Sequence, residues 1–463
     1  MTTAAVDSRS APSSVAPGHD RARRVLGGAV VLLVLSPLLA ILATRLHNIT
    51  HDPLLTSYGL LVIATIVLLL ILSFVRYRDP ALDPVIGDVV PRVTALVAVK
   101  DEIDVIDRCI GSLVGQTFRG LEIVVIDDGS TDGTTERLRE LAAAHPGIRL
   151  LVNAESQGKK RALTRGVEQA AGDIFVFTDS DCVLEPDAVE TLIHAFRAHP
   201  EFGALSGHAR ALNRDASFLT RIQDTWYETS FSVTKAAESS FGGVSCVSGP
   251  LAGFRREAIY NYFPAWANDT FLGRDFHFAT DRQLTAYVLG SVRVGPKLKE
   301  QYKDTHFVRS EDHAPAHWKV GYVRSARVET AVPVTMRTLM RQQVRWKKSF
   351  VRNLFFTGGF YWRRGPVASM VFYGHVLFVT LAPVMVVRHL VWAPLHGALL
   401  LTALYLAGVA LKGLIWGLAY WAHNPRDWRW VYRPLMSVMS ALCFSWMLPY
   451  SALTLRKGVW SRG

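Results

Sequence analysis

Cysteine is scarce in this chain: there are four in 463 residues, at Cys109, Cys182, Cys246 and Cys443. They form neither a Cys-x-x-Cys pair nor an evenly paired framework, so a disulfide scaffold is excluded and free thiols are expected. No internal repeat is visible, which excludes a repeat architecture, and compositional bias is confined to a Ser/Ala/Pro/Arg-rich stretch at 1–24, expected to be disordered. Acidic residues are outnumbered, 39 against 51 basic, for a net charge of +12. That excess alone would suit nucleic acid. The basic pairs, however, sit beside apolar tracts, as in Lys347-Lys348 and Arg363-Arg364. Anionic lipid headgroups and phosphorylated substrates are therefore the expected partners, and nucleic acid is not.

Charge is also absent from two long runs near the N-terminus, 25–44 and 57–74. Each approaches the ~20 residues that cross a bilayer as helix. A cleaved signal peptide would explain the first run alone, but its length and the second span directly after it argue against that reading. Three further apolar tracts lie at 367–387, 395–421 and 433–455. Arg9, Arg21, Arg23 and Arg24 precede the first span, whereas the loop 45–56 holds only Arg45, so the positive-inside rule predicts a cytosolic N-terminus and a cytosolic central block. Five spans would leave the basic tail (Arg456, Lys457, Arg462) outside, which conflicts with that rule. One C-terminal tract is thus expected to be re-entrant or broken, and 433–455, bracketed by Pro434 and Pro449, is the candidate. The sequon Asn48-Ile49-Thr50 falls so close to the membrane that nothing is read into it.

Between the two groups of tracts the pattern changes. Residues 75–91, with Pro80, Pro84 and Pro91, read as a linker. Strands are then predicted over 93–100, 121–130, 148–153 and 173–181, alternating with helices over 101–116, 132–144 and 158–171. Near-continuous apolar strands separated by helices predict an α/β domain with a mostly parallel sheet, whose ligands bind beyond the carboxyl ends of the strands.

The acidic clusters fall at those ends. Asp179 and Asp181 share one face of an extended strand end, and hard oxygen ligands of this kind suit Mg²⁺ or Mn²⁺ held jointly with substrate phosphates. A solvated strand end is the bland alternative for either cluster alone. The recurrence of Asp127-Asp128-Gly129-Ser130 at a second strand end weighs against it. Asp281, before Arg282-Gln283-Leu284-Thr285, can be read as a helix N-cap or as the general base that a sugar hydroxyl needs. Gln342-Gln343-Val344-Arg345-Trp346 lies in a basic amphipathic stretch. It suits an interfacial helix, and equally an arginine on phosphate with a tryptophan face on a sugar ring. Lys412, in the middle of tract 395–421, either lines a polar path or snorkels from a shorter span. His375 is read as a satisfied histidine.

In this order, Lys100-Asp101-Glu102, DDGS, DxD, Asp before Arg-x-Leu-Thr and QxxRW, the chain resembles the family 2 processive synthases that make cellulose, chitin and hyaluronan. Within that group the resemblance is strongest to hyaluronan synthases. It is carried by 206–213, by 241–251 followed by Arg255-Arg256-Glu257, by 268–273 and by the terminal 453–462. The resemblance implies a GT-A-type nucleotide-sugar transferase domain over 88–330, an interfacial segment at 331–365 and a C-terminal membrane bundle at 366–463, after two spans in 25–74. It implies that Glu102, Asp128, Lys159 and Arg345 bind the nucleotide, that Asp179 and Asp181 hold the metal diphosphate, and that Asp281 is the base. Cys246, Gly249, Gln342 and Trp346 would meet the acceptor and Lys412 the channel. UDP-sugars, a growing polysaccharide and plasma-membrane lipids would be the partners, with the catalytic domain in the cytosol. Arg282 and Arg210 would face the carboxylate of an acidic donor. Two departures stand out: the family's Gly-Asp before the base is Ala279-Thr280 here, and the terminal loop reads Trp-Ser-Arg instead of Trp-Gly-Thr-Arg.

Overall fold

The computed structural model describes residues 25–29, 31–32, 53–278 and 280–456. Most of the first expected span, the sequon and the terminal Lys457–Arg462 stretch lie outside these residues, as does Ala279.

Four strands that the sequence makes almost wholly apolar form one half of the sheet: β1 (Val93–Val99), β2 (Glu122–Asp127), β3 (Ile148–Val152) and β4 (Ile174–Asp179). Their β-branched and aromatic side chains suit a pleated surface covered on both faces. Helices α1 (Ile106–Val114), α2 (Thr134–Ala144) and α3 (Lys159–Glu168) cross between them. After the short β5 (Cys182–Leu184) come α4 (Ala188–Ala198), β6 (Phe202–Ala211), α5 (Phe218–Thr229) and β7 (Ala252–Arg255). A capping box between Ser217 and Thr220 starts α5, satisfying amide donors that the first helical turn leaves open. A two-stranded hairpin, β8 (Thr270–Phe271) and β9 (Arg274–Asp275), precedes α6 (Thr280–Leu289), and β10 (Lys319–Thr330) completes the domain.

The eight-stranded sheet runs β3-β2-β1-β4-β7-β6-β10-β5. β3, β2, β1 and β4 are mutually parallel, as are β6 and β10, while β7 and β5 run against their neighbours. The sheet is therefore mostly parallel, as expected. Phe175, Phe196, Phe254, Phe263 and Trp266 fill its core with less than 2% exposure. Burying one such side chain contributes about 1.5–3 kcal/mol. Because β7 is antiparallel to β4, with Phe177 opposite Ala252, the segment entering β7 arrives at the edge where β4 ends. That register brings Gly249 beside Asp179.

Beyond β10, Thr335 caps α7 (Met336–Thr357), its hydroxyl accepting from the Thr338 amide. Among the described residues four helices are long and apolar enough to cross a membrane: Thr56–Leu82, Pro366–Leu395, Leu399–His423 and Trp428–Leu453. Ile66, Leu69 and Leu70 of the first pack in one cluster with Val371, Ile415 and Ala419 of the second and third. The tract expected to be broken is the fourth of these. Its length and composition suffice for a span, with a π-helical turn at Ser440–Phe444 and two turn residues, 445–446, before Met447–Leu453.

Candidate active site

The carboxyl ends of β1, β2 and β4 are laced together by short polar contacts. Asp101 takes a left-handed backbone (φ 52°), tolerated by aspartate better than by most residues. It accepts from the Thr131 amide at 2.7 Å, while its own amide donates to Ser130 Oγ at 3.0 Å. Lys100 Nζ donates to the Gly129 carbonyl at 2.8 Å. Gly129 itself has φ +71°, and a Cβ there would stand 3.0 Å from the backbone at Glu155 and Ser156, so this close backbone crossing needs glycine. Glu102 accepts from Ser180 Oγ at 3.2 Å and thereby ties the end of β1 to the DxD turn.

The two aspartates of DDGS are consumed by this lacing. Asp127 accepts from the Ser130 amide and hydroxyl and from Thr135 Oγ1. Asp128, expected to touch the nucleotide, has each oxygen filled twice: Oδ1 by Asn153 Nδ2 and the Gln157 amide, Oδ2 by Ser156 Oγ and the Gly158 amide. With four acceptor sites used, its place is that of a post holding the loop 153–158, not of an open ligand. That loop delivers Lys159 at the start of α3.

Lys159 pairs with Asp179 through Nζ and Oδ1. Burial opposes its charge, but Asp179, Asp181 and Asp281 outweigh the burial and hold the ammonium above its usual value. Asp181 is pushed up to about 6, first by burial and then by the charge of Asp179, with Lys159 pulling the other way. Three carboxylates thus face one ammonium, a local excess of negative charge that a divalent cation would balance. Carboxylate oxygens of Asp179 and Asp181 lie within 4.8 Å of one another and of the Cys182 sulfur; the two hard oxygens suit Mg²⁺ or Mn²⁺, whereas burial holds the Cys182 thiol well above its usual value and leaves it outside that donor set. Gly249, expected on the acceptor side, lies against the same group: a Cβ there would sit 2.9 Å from Asp179 Oδ2.

Asp281 occupies the second position of α6, inside its first turn, where the helix dipole favours a negative charge. Its Oδ1 accepts from the Arg282 amide at 2.8 Å, and Oδ2 accepts from the Cys246 thiol at 3.5 Å. Burial and then the Asp281 charge push that thiol up to about 12, so it stays a donor to the carboxylate. The Cys246 carbonyl in turn accepts from the buried Lys235. Lys235 was not singled out from sequence, since a lone lysine in a mixed polar and apolar helical stretch carries no motif.

Of the QxxRW residues, Trp346 packs into an aromatic cluster with Trp226 and Tyr227 of α5, tilted by 50° and 51° at centroid distances of 5.8 and 6.3 Å. The Tyr227 hydroxyl is raised above its usual value by burial and then by Asp181, which puts the cluster beside the DxD turn. Trp226-Tyr227 also escaped the sequence reading; the capping box upstream marks the helix but not the role. Arg345, Arg282 and Lys347 have no side-chain hydrogen bond or ion pair among the described residues, and Gln342 Oε1 is buried without a partner. Arg210 differs from expectation. It forks onto Asp224 at 2.7 and 3.0 Å, reaches Glu228 at 3.1 Å and stacks on Tyr420, so its charge is already spent. In the helical region, Lys412 stands 4.5 Å from the Phe378 ring centroid, and His375 meets Phe378 and Phe350 at 6.5 and 5.9 Å.

Comparison with known proteins agrees with this geometry. Residues 94–263, from β1 through the DxD turn and β7, match the Glycosyl transferase family 2 model. An N-acetylglucosaminyltransferase of Azorhizobium caulinodans is 32% identical over 266 residues, covering 57% of this chain and 60% of that protein. A hyaluronan synthase of Streptococcus pyogenes is 30% identical over 306 residues, covering 64% of each. The matches thus span less than two thirds of these relatives' own length. A mannosyltransferase of Pyrobaculum calidifontis, solved with GDP-Man and Mn²⁺, superposes with a TM-score of 0.49 at 19% identity, over 94% of this chain and 99% of that one. The strand ends and the DxD turn fall within residues 94–263, the stretch that matches the Glycosyl transferase family 2 model.

Proposed function

We propose that the chain is a processive polysaccharide synthase. It would transfer sugars from UDP-sugars to a growing chain in the cytosol and pass the product into the plasma membrane between its helices. The observation that carries this reading is the continuity of the site. Asp179, Asp181 and Lys159 meet Asp281 on one side and, through Tyr227, Trp346 on the other, and α7 leads directly to the membrane-length helices. A single-addition transferase to a lipid carrier needs no such run. On this reading residues 88–330 form the catalytic domain, 331–365 lie at the interface and 366–463 form the bundle.

The chemistry follows from the side chains. Asp281 takes the proton of the acceptor hydroxyl as its oxygen attacks the anomeric carbon, and the Cys246 thiol fixes the orientation of that carboxylate. The bond from the anomeric carbon to phosphate breaks, and the departing diphosphate meets Lys159 and Arg345. Mg²⁺ or Mn²⁺ bound by Asp179 and Asp181 would supply Lewis-acid charge to that leaving group. Trp346 stacks under the acceptor sugar, holding the nucleophile in line.

The favoured donors are UDP-N-acetylglucosamine and UDP-glucuronic acid in alternation. The similarity to a hyaluronan synthase supports this, and so do the unpaired cations Arg282 and Lys347, which lie within electrostatic reach of His375 on the way to Lys412. An acidic polymer would add counter-charge to these cations. The similarity to an N-acetylglucosaminyltransferase keeps a chitin-type homopolymer as the second reading. Supplying each donor singly and then together separates the two. Long polymer from UDP-N-acetylglucosamine alone, unaffected by UDP-glucuronic acid, would contradict the favoured product.

A further inference from the structure

One buried ion network lies outside the catalytic cluster and touches three of the elements that build it. Asp269, 7% exposed, precedes the β8–β9 hairpin and accepts from Lys160 Nζ at 2.9 Å through Oδ2 and from Arg352 Nη2 at 2.6 Å through Oδ1. Lys160 Nζ also donates to the Phe276 carbonyl and to Gln283 Oε1, each at 2.8 Å. Gln283 passes the contact to the Tyr287 hydroxyl, again at 2.8 Å. Lys160 and Arg352 are 5% and 7% exposed, so all three charges are withheld from water. A cleft of about 190 Å³ opens beside this network, walled by the 156–161 loop and by residues of the 267–277 segment.

The placement of each partner is what matters. Lys160 follows Lys159, which pairs with Asp179. Gln283 lies two residues after Asp281. Arg352 sits on α7, two turns beyond Arg345 and Trp346. Buried charge pairs are poor sources of stability but hold one geometry tightly, because any displacement strands a charge in low dielectric. We infer that Asp269 is a positioning residue, whose carboxylate locks α7 to α3 and α6 and so keeps Trp346 and Arg345 in register with Lys159 and Asp281. The apolar packing between α7 and α6, such as Phe356 on Tyr287 at 5.5 Å, gives contact but leaves sliding along the helix axis open. The Arg352–Asp269–Lys160 bridge closes that freedom.

The inference rests on the transferase reading only for its kinetic arm, so the first test needs no substrate. In purified full-length protein, Asp269→Asn keeps the side-chain shape and removes the charge. Hydrogen exchange should then rise at least tenfold in 159–163, 281–285 and 345–353 together, with β1–β4 as protected as before. A rise confined to 267–278, or none, overturns the inference. Should Asp269→Asn not fold, Arg352→Gln, which spares the Lys160–Asp269 pair, carries the test, and unchanged exchange over 345–353 overturns it. In the kinetic arm, transfer to an acceptor should fall at least tenfold and by more than hydrolysis of the donor by water, because both lose the register of Arg345 with Lys159 but only transfer also loses the Trp346 platform. Equal loss of both would reduce Asp269 to a purely structural role. If the unaltered protein transfers no sugar at all, the proposed function fails and the exchange result still decides this inference.

Discussion

Gly249→Ala tests the site where the structure is most specific. The new Cβ would stand 2.9 Å from Asp179 Oδ2 and 3.3 Å from Oδ1. Non-bonded heavy atoms settle at about 3.5 Å or more, so something must yield by roughly 0.6 Å. Gly249 is not among the glycines with positive φ, so alanine brings volume and no backbone strain. The carboxylate cannot simply swing aside either, because Oδ1 is held by Lys159. A misplacement of about 1 Å at a reacting centre costs ~10²-fold, so about half that shift should cost roughly tenfold in turnover. Nucleoside diphosphate release from purified protein, titrated with Mg²⁺ or Mn²⁺, reads both the rate and the metal requirement. Turnover within twofold of wild type and an unchanged metal titration would refute the placement of Gly249 against Asp179 at the proposed metal site.

Asp281→Asn should leave nucleotide binding nearly intact and reduce transfer by ~10²–10⁴-fold, since an amide cannot take the acceptor proton; retention of a tenth of the wild-type rate would make Asp281 only a helix-end charge. Asp181→Ala, or excess chelator on the unaltered enzyme, should abolish activity, because the diphosphate cannot leave against uncompensated carboxylates. Full activity in chelator would overturn the metal assignment. Trp346→Ala should impair elongation more than hydrolysis of the donor, as product length against diphosphate release would show. Equal loss would leave Trp346 as packing for Trp226 and Tyr227.

Half of the sheet could be read from sequence for a definite reason. β1 to β4 are mostly apolar runs, with Arg149 in β3 and Glu122 at the start of β2 as exceptions, and the observed Val93–Val99 and Ile174–Asp179 fall inside the predicted 93–100 and 173–181. The other half resists such reading. β6 carries Ser206, His208 and Arg210, and it pairs with β10, more than a hundred residues later, across a register shift between Tyr322 and Arg327. No local pattern announces that pairing, or the reversed direction of β7 that brings Gly249 to Asp179. The site shows the same division. Asp179, Asp181, Asp281 and Trp346 carry motif signals and Lys159 is implied by the resemblance; the structure sets them near one another. Asp128 carries an equal motif signal and Arg210 is a candidate partner for an acidic donor, yet their charges are met by Asn153, Ser156 and two amides in one case and by Asp224 and Glu228 in the other. Whether a charged side chain is open to a ligand depends on partners brought from far along the chain, which composition and spacing do not encode.

The central claim is that this site elongates one chain many times before releasing it. Purified enzyme supplied with UDP-N-acetylglucosamine and UDP-glucuronic acid, with Mg²⁺ or Mn²⁺, should be sampled when only a few per cent of donor has been consumed. Long polymer is expected at that early time, with most enzyme molecules yet to start and few short oligosaccharides. A ladder of short products that lengthens with time, or transfer that stops after one sugar, would contradict it.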